Sequence, residues 1–321
     1  MEGLINMAIR GIVLVCFLST VLELTRDIIP FLDSKSQYLL PQRVCAHAPF
    51  LTSPVGTSLN KRVVDGQLAN RCSWPWMVNI RFGPEYYPAD KIPLCSGVLI
   101  NSNTVVTAAH CLKLNTRVKQ LFDVVVGEHD TGKVDRKEKI VNASITILHP
   151  HFNPDSMFLN VTSHWIYEND IAVVKLEQAV PFSMCVRAIQ IASHTTTYPA
   201  DVDCRIAGWG KTQVDQGLAR ILQTGDVTMM DWNACKAKLG SDSEHTYLPR
   251  NTTICTNGVS GSNTGTSTSC HGDDGGMLVC GDSTGNWVLR GIIISHMCDN
   301  TMPTVYTNLS AFKDWIMLHS S

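Results

Sequence analysis

None of the twelve cysteines stands in a C-x-x-C pair, there is no long basic run or acidic tail, and no later segment matches the apolar run near the N-terminus. The missing C-x-x-C spacing argues against a structural zinc site or a thioredoxin-like centre. With 26 Lys and Arg against 28 Asp and Glu, the chain lacks the broad positive field that nucleic acid or an anionic membrane attracts. Without repeats or low-complexity tracts, no solenoid or array is expected.

What is present is an ordinary globular composition, 44% hydrophobic and 17% charged over 321 residues, enough for one large domain or two smaller ones. Cysteines scattered singly imply disulfides and an oxidising compartment. Residues 11–22 form an apolar run behind Arg10, shorter than the roughly 20 residues a bilayer needs and suited to a signal-peptide core. Residues 1–22 are therefore read as a signal peptide and the protein as secreted and extracellular, with no membrane span in the mature form. Sequons at Asn142, Asn160, Asn251 and Asn308 agree with that route and make it an expected glycoprotein.

Residues 23–62 are irregular, broken by Pro30, Pro41, Pro49 and Pro54, and read as a pro-segment or linker. From residue 63 the texture changes. Runs rich in Val, Ile and aromatics at 76–82, 96–100, 124–126, 171–176, 287–294 and 304–307 are separated by Gly, Pro, Asn and Asp, the pattern of an all-β sandwich or barrel. Residues 231–239 and 311–318 read as helices, the second with Phe312, Trp315 and Ile316 on one face. Residues 261–269, rich in Gly, Ser and Thr, read as a loop.

Three separated motifs carry the chemistry: Thr107-Ala108-Ala109-His110-Cys111, Asn169-Asp170-Ile171-Ala172, and Cys270-His271-Gly272-Asp273-Asp274-Gly275-Gly276. Their order resembles the trypsin/chymotrypsin family of serine endopeptidases, from about residue 62 to the end. The resemblance implies a protease domain over 63–321, built as two packed six-stranded antiparallel β-barrels with a C-terminal helix. It implies a catalytic His110–Asp170 pair facing the nucleophile position, Asp274, with an oxyanion hole at Gly272 and Asp274. It also implies a zymogen-like site at Arg62, where cleavage frees Val63 to pair with Asp273, since a buried carboxylate is costly without a partner. Asp65 departs from the usual Gly beside that site.

The main departure is Asp274, which stands where the family has its serine. Family chemistry needs a hydroxyl that the histidine deprotonates. A carboxylate is already ionised and a poor nucleophile toward an amide, and loss of the serine in such a protease costs about 2 × 10⁶ in turnover. Two carboxylates near His110 should also hold it cationic to higher pH. The expected specificity pocket is altered as well: Thr268 falls at its base and Thr304 replaces a wall Gly. The segment before Cys298 is shortened and lacks Trp and Gly, and Met277 replaces a Pro. The reading is a secreted, non-catalytic serine protease homologue that binds protein or regulates proteolysis. Its partner would be a protease-cascade component, an inhibitor or a substrate-like protein. The alternatives are an active endopeptidase with an unconventional site, through a hydroxyl such as Ser269, and a structural extracellular glycoprotein.

The resemblance further implies bridges Cys95–Cys111, Cys204–Cys280, Cys235–Cys255 and Cys270–Cys298. Relatives that tie a pro-segment cysteine to the catalytic domain make Cys45–Cys185 the expected fifth, with Cys45–Cys72 its rival and one cysteine odd; Cys16 leaves with the signal. Residues 127–138 resemble the family's calcium loop, with Glu128 and Glu138 at the ligand positions and Asp135 nearby. Hard oxygen donors suit Ca²⁺, while Lys133, Arg136, Lys137 and Lys139 oppose it. No cofactor is required. The long stretch between Pro150 and Asp170, holding His164, Trp165 and Tyr167, is expected to be a lid or partner-binding loop.

Overall fold

The structure, a computed structural model, describes residues 67–82, 93–113, 122–133, 137–154, 157–158, 166–199, 201–211, 217–239, 248–258, 269–295, 298 and 302–321. The chain divides into two compact units, Met1–Cys45 and Ala46–Ser321. Every described residue belongs to the second. The expected signal peptide, the pro-segment with Cys45 and Arg62, and Val63, Asp65, Asp135, Arg136, Asn160, His164, Trp165 and Thr268 lie outside the described residues.

The strands, in chain order, are β1 Gln67–Leu68, β2 Met77–Phe82, β3 Pro93–Asn101, β4 Thr104–Thr107, β5 Phe122–Val126, β6 Lys139–Leu148, β7 Met157–Phe158 and β8 Ile166–Tyr167. They continue as β9 Ala172–Leu176, β10 Cys204–Gly208, β11 Gln223–Met230, β12 Thr253–Gly258, β13 Met277–Gly281, β14 Trp287–Ser295 and β15 Thr304–Asn308. The helices are α1 Trp232–Lys238 and α2 Leu309–Ser320.

Six strands close the first barrel in the order β2-β3-β4-β9-β6-β5. Six more close the second as β11-β10-β13-β14-β15-β12 through the β11–β12 pairing, and β1 adds to the edge of β11. Every ladder between these strands is antiparallel. Closure removes the unpaired edges an open sheet would leave. Residues Met77 to Arg81 of β2 and all four of β4 are buried whichever way they point, polar Asn79 and Arg81 included, so neither strand shows the alternation of a half-buried sheet. In β6 alternation dominates at the start, with Val141 and Ala143 buried and Ile140 and Asn142 exposed.

Asp231 caps α1, its carboxylate accepting from the Asn233 and Ala234 amides, which satisfies two otherwise orphaned donors. Helix α2 buries Leu309, Phe312 and Ile316, one helical stripe, and packs on β14 and β9. Its end is held to the first barrel by Lys175 Nζ, which donates to the Ser320 carbonyl at 3.0 Å. Trp74, Trp76 and Trp287 stack edge to face, at 6.0 and 5.7 Å between ring centroids, and join the shared core.

Five disulfides fasten this frame: Cys95–Cys111, Cys204–Cys280, Cys235–Cys255, Cys270–Cys298 and Cys72–Cys185. The last corrects the expected Cys45–Cys185 pairing. The Arg187 amide donates to the Pro75 carbonyl at 2.9 Å, laying the 183–187 segment along the start of β2. Cys72 and Cys185 therefore meet, with Cα atoms 4.3 Å apart. Among the described residues, no helix is long and apolar enough to cross a membrane.

Candidate functional site

The first group of the site comes from β4, whose chain turns at its end into a short 3₁₀ segment, His110–Leu112. The Cys95–Cys111 bridge pins that turn to β3. The second comes from the loop entering β9. Asn169 takes a left-handed φ of 53°, a conformation Asn tolerates better than most residues, and the kink aims Asp170 inward. Asp170 is 1% exposed. Its Oδ1 accepts the His110 amide at 2.9 Å, its Oδ2 lies 2.5 Å from His110 Nδ1, and its carbonyl accepts from Thr307 Oγ1 at 2.7 Å.

The third group sits in the turn before β13. Gly272 has a φ of 95°, and a Cβ there would meet Leu218 Cδ2 at 2.6 Å. Gly275 has a φ of 75°, and a Cβ would meet the Ser96 carbonyl oxygen and Thr107 Oγ1, each at 2.2 Å. Only glycine fits both places. The turn thus presses on the first barrel, where the Ser96 amide donates to the Asp274 carbonyl at 2.8 Å. Asp274 Oδ1 faces His110 Nε2 at 3.9 Å. Asp273 turns the other way: it accepts from the Gly210 amide at 2.8 Å and the Cys270 amide at 2.9 Å.

Electrostatics follow from this placement. Burial alone would lower the His110 imidazole, but the charge and hydrogen bond of Asp170, then the charge of Asp274, raise it from 6.5 to about 9. The cation sits between two carboxylates. Because the folded value lies above the ordinary one, the stabilisation is complete below about pH 6.5 and is lost as pH rises through about 9. With the side chain 23% exposed, the effect is on the order of 3 kcal/mol. Unfolding by urea should therefore become easier between pH 6.5 and pH 9.5, and the change should shrink in His110→Gln. An unaltered slope in that variant would remove His110 as the source.

Of the expected specificity-pocket residues only Thr304 is described, and it is 2% exposed. Its hydroxyl is bonded to that of Ser269, 0% exposed, at 3.1 Å, and Ser269 Oγ also donates to the Ser295 carbonyl at 3.4 Å. β7 and β8, in the stretch before Asp170, pair antiparallel, and the Tyr167 ring lies 5.9 Å from that of His110. Cys95 and Cys111 come within ligand distance of His110, but they are bonded to each other and supply no thiolate, so these three make no metal site.

The calcium-like loop holds a third charged group beside its two acids. Glu128 and Glu138 do come together, but Arg81 Nη2 donates to Glu128 Oε2, with the two side chains only 5% and 1% exposed. Burial pushes the Glu128 carboxyl up, the Arg81 charge opposes this, and the charge and hydrogen bond of Glu138 push it further up. The Arg81 guanidinium faces one of the two acids. A divalent ion set there would meet the like charge of the buried guanidinium, while Glu128 Oε1 and Glu138 Oε2 are buried without a hydrogen-bond partner among the described residues. Of the sequons, Asn142 and Asn251 are exposed, while Asn308 precedes α2 and its Nδ2 donates to the Asn251 carbonyl at 3.1 Å.

Sequence reasoning missed Arg81, Cys72–Cys185 and the Ser269–Thr304 bond. A charged residue inside the otherwise buried Met77–Phe82 strand was the one available signal for Arg81.

Two closed antiparallel barrels, with an imidazole–carboxylate pair on one and a facing glycine-rich turn on the other, define a serine-endopeptidase-like architecture. The family model described as Trypsin matches residues 63–316. The chain is 31% identical over 264 residues to human chymotrypsin-like elastase family member 1, covering 80% of this chain and 92% of that one. Against chymotrypsin-C of Bos taurus the identity is 31% over 266 residues, covering 81% and 89%; against the dog elastase homologue it is 29% over 263, covering 80% and 92%. The chain belongs to the trypsin family.

Proposed function

We propose that this family member is a non-catalytic homologue, secreted after loss of residues 1–22, that acts by binding protein within or around a proteolytic system. The observation that carries the reading is Asp274 facing His110. A base must be neutral to take a proton, whereas His110, raised to about 9, is already protonated near pH 7. The group facing it offers a carboxylate oxygen in place of a hydroxyl proton and an attacking alkoxide. The alternative hydroxyl, Ser269, is fully buried and bonded to Thr304 and the Ser295 carbonyl, which speaks against a substitute nucleophile. The Thr304 side chain reduces the room for a substrate side chain at the same place. The five disulfides and the relation to elastases support an extracellular setting, and exposed Asn142 and Asn251 are the better candidates for glycans.

A fluorophosphonate probe tests this reading on the protein processed after Arg62. No covalent labelling is expected, and labelling within the cleft would restore the endopeptidase reading. Asp274→Ser should regain no measurable peptide hydrolysis, because the Thr304 side chain and its bond to Ser269 remain. Hydrolysis by that variant would mean that only the nucleophile had been lost.

A further inference from the structure

Three histidines gather where the turn after β6 meets the end of α2. His149 and His151 flank Pro150 in that turn, their rings edge to face at 5.6 Å between centroids. From α2, Phe312 and Trp315 pack against His149 at 5.1 and 4.9 Å, and the His319 ring lies 4.9 Å from that of Trp315. His149 and His319 are half-buried, and His151 is exposed. Among the described residues, no carboxylate pairs with any of the three; the histidine salt bridges are those of His110. The other charged groups on the packed elements are engaged elsewhere or solvated. Lys175 of β9 donates to Ser320 and to a terminal oxygen of Ser321, and Lys313 of α2 donates to the Ile191 carbonyl. Asp314 is exposed, and Glu168, in the loop before β9, is half-buried.

The hydrogen bonds of this turn depend on the charge of His149. Its Nδ1 accepts from the His151 amide at 3.3 Å, which only a neutral imidazole can do, because both nitrogens of an imidazolium are donors. His319 Nδ1 donates to the Trp315 carbonyl at 2.8 Å, a bond that survives protonation and that the negative end of the helix favours. The same turn anchors the loop that carries Asp170. The His149 amide donates to the Ile171 carbonyl at 3.0 Å, and Asn169 Nδ2 donates to the His151 carbonyl at 3.1 Å. Burial, then the charges of His151 and His319, lower the His149 imidazole. Because the folded value lies below the ordinary one, stability from this residue is complete above about pH 6.5 and is lost as pH falls below it. The sign is opposite to that at His110.

We propose that His149, His151 and His319 form an acid-sensitive latch between the C-terminal helix and the turn that supports Asp170. In neutral solution the uncharged rings pack around Trp315, and His149 holds the His151 amide. In acid, His151 and His319 take protons first, one exposed and the other at a helix end. His149 then charges beside two cations with no carboxylate to offset them, and gives up its bond to the His151 amide. The last turn of α2 and the 149–152 turn loosen together, and Asn169 loses a fixed acceptor. The hold of Asp170 on His110 slackens in turn. The latch is independent of whether the cleft is catalytic, and it gives the chain a closed neutral form and a loosened acid form.

The test is hydrogen exchange of the full chain, read by mass spectrometry at about pH 5 and about pH 8, on either side of the ordinary histidine range. Rates are corrected for the intrinsic pH dependence of amide exchange. Protection across 149–152, 169–171 and 315–320 should fall about tenfold at the lower pH, while β3 and β13 keep theirs. High salt should shrink the loss, since ions screen partly exposed cations. His149→Gln should abolish the loss. His151→Gln with His319→Gln leaves the His149 ring in place and should cut the loss to about threefold or less, which keeps the test readable if the single variant does not fold. Protection indifferent to pH, a loss spread evenly through both barrels, or an undiminished loss in the variants would overturn the proposal.

Discussion

Replacing Cys72 and Cys185 together by serine should lower the stability of the folded chain by about 4 to 5 kcal/mol, a larger loss than removal of Cys235–Cys255. The bridge joins residues 113 apart in sequence, so in the chain-entropy account its absence returns a large set of conformations to the unfolded chain. Cys235–Cys255 closes only 20 residues, and the same account makes its contribution smaller by about 1.5 kcal/mol. Urea unfolding of the two serine pairs, measured side by side, checks both the size and the order. A reversed order would mean that the clasp acts mainly through local packing.

The clasp also ties chain entry to chain exit. Cys72 precedes β2, the first strand of its barrel, and Cys185 follows β9, the last. Opening the bridge should leave the β2–β3 and β6–β9 ladders in place while loosening the 183–187 segment, which keeps its Arg187-to-Pro75 backbone bond. Hydrogen exchange should rise first around that segment.

Much of this architecture was legible from residue order. Apolar runs located β2, β3, β5, β9, β14 and β15 to within a few residues, because stretches rich in Val, Ile and aromatics mark strands even where one charged residue such as Arg81 or Lys175 stands within them. Strands β6, β10, β11 and β12 were less legible. Lys139, Asn142, Arg205, Asp226 and Asn257 interrupt them, and only the pairing explains why polar side chains stand there. Three motifs placed His110, Asp170 and Asp274 near one another, but only the folded turn puts Asp274 Oδ1 at 3.9 Å from the imidazole. The fate of Cys185 was beyond reach, since spacing along a chain does not say which distant cysteine the fold delivers. Arg81 was hidden for a related reason. In an isolated strand a charged residue reads as solvent-facing, and its burial follows from the β5 neighbour that brings Glu128 behind it.

Arg81→Met should cost about 3 to 5 kcal/mol, the usual consequence of leaving one member of a buried ion pair without its partner. Removing the guanidinium leaves the buried carboxyls of Glu128 and Glu138 facing each other, with Asp123 opposite position 81 on β5. That acid-rich pocket, no longer guarded by a fixed positive charge, is where a divalent ion would gain most. Added Ca²⁺ should raise the melting temperature of Arg81→Met by preferential binding to the folded form, while neither Ca²⁺ nor EDTA should move that of the natural chain. Arg81→Lys, which keeps a charge but loses the planar fork, should fall between the two and keep the test readable if the methionine variant does not fold. A natural chain whose melting temperature climbs with Ca²⁺ would show that the guanidinium and the ion share the loop, and the case for an internal cation would fail.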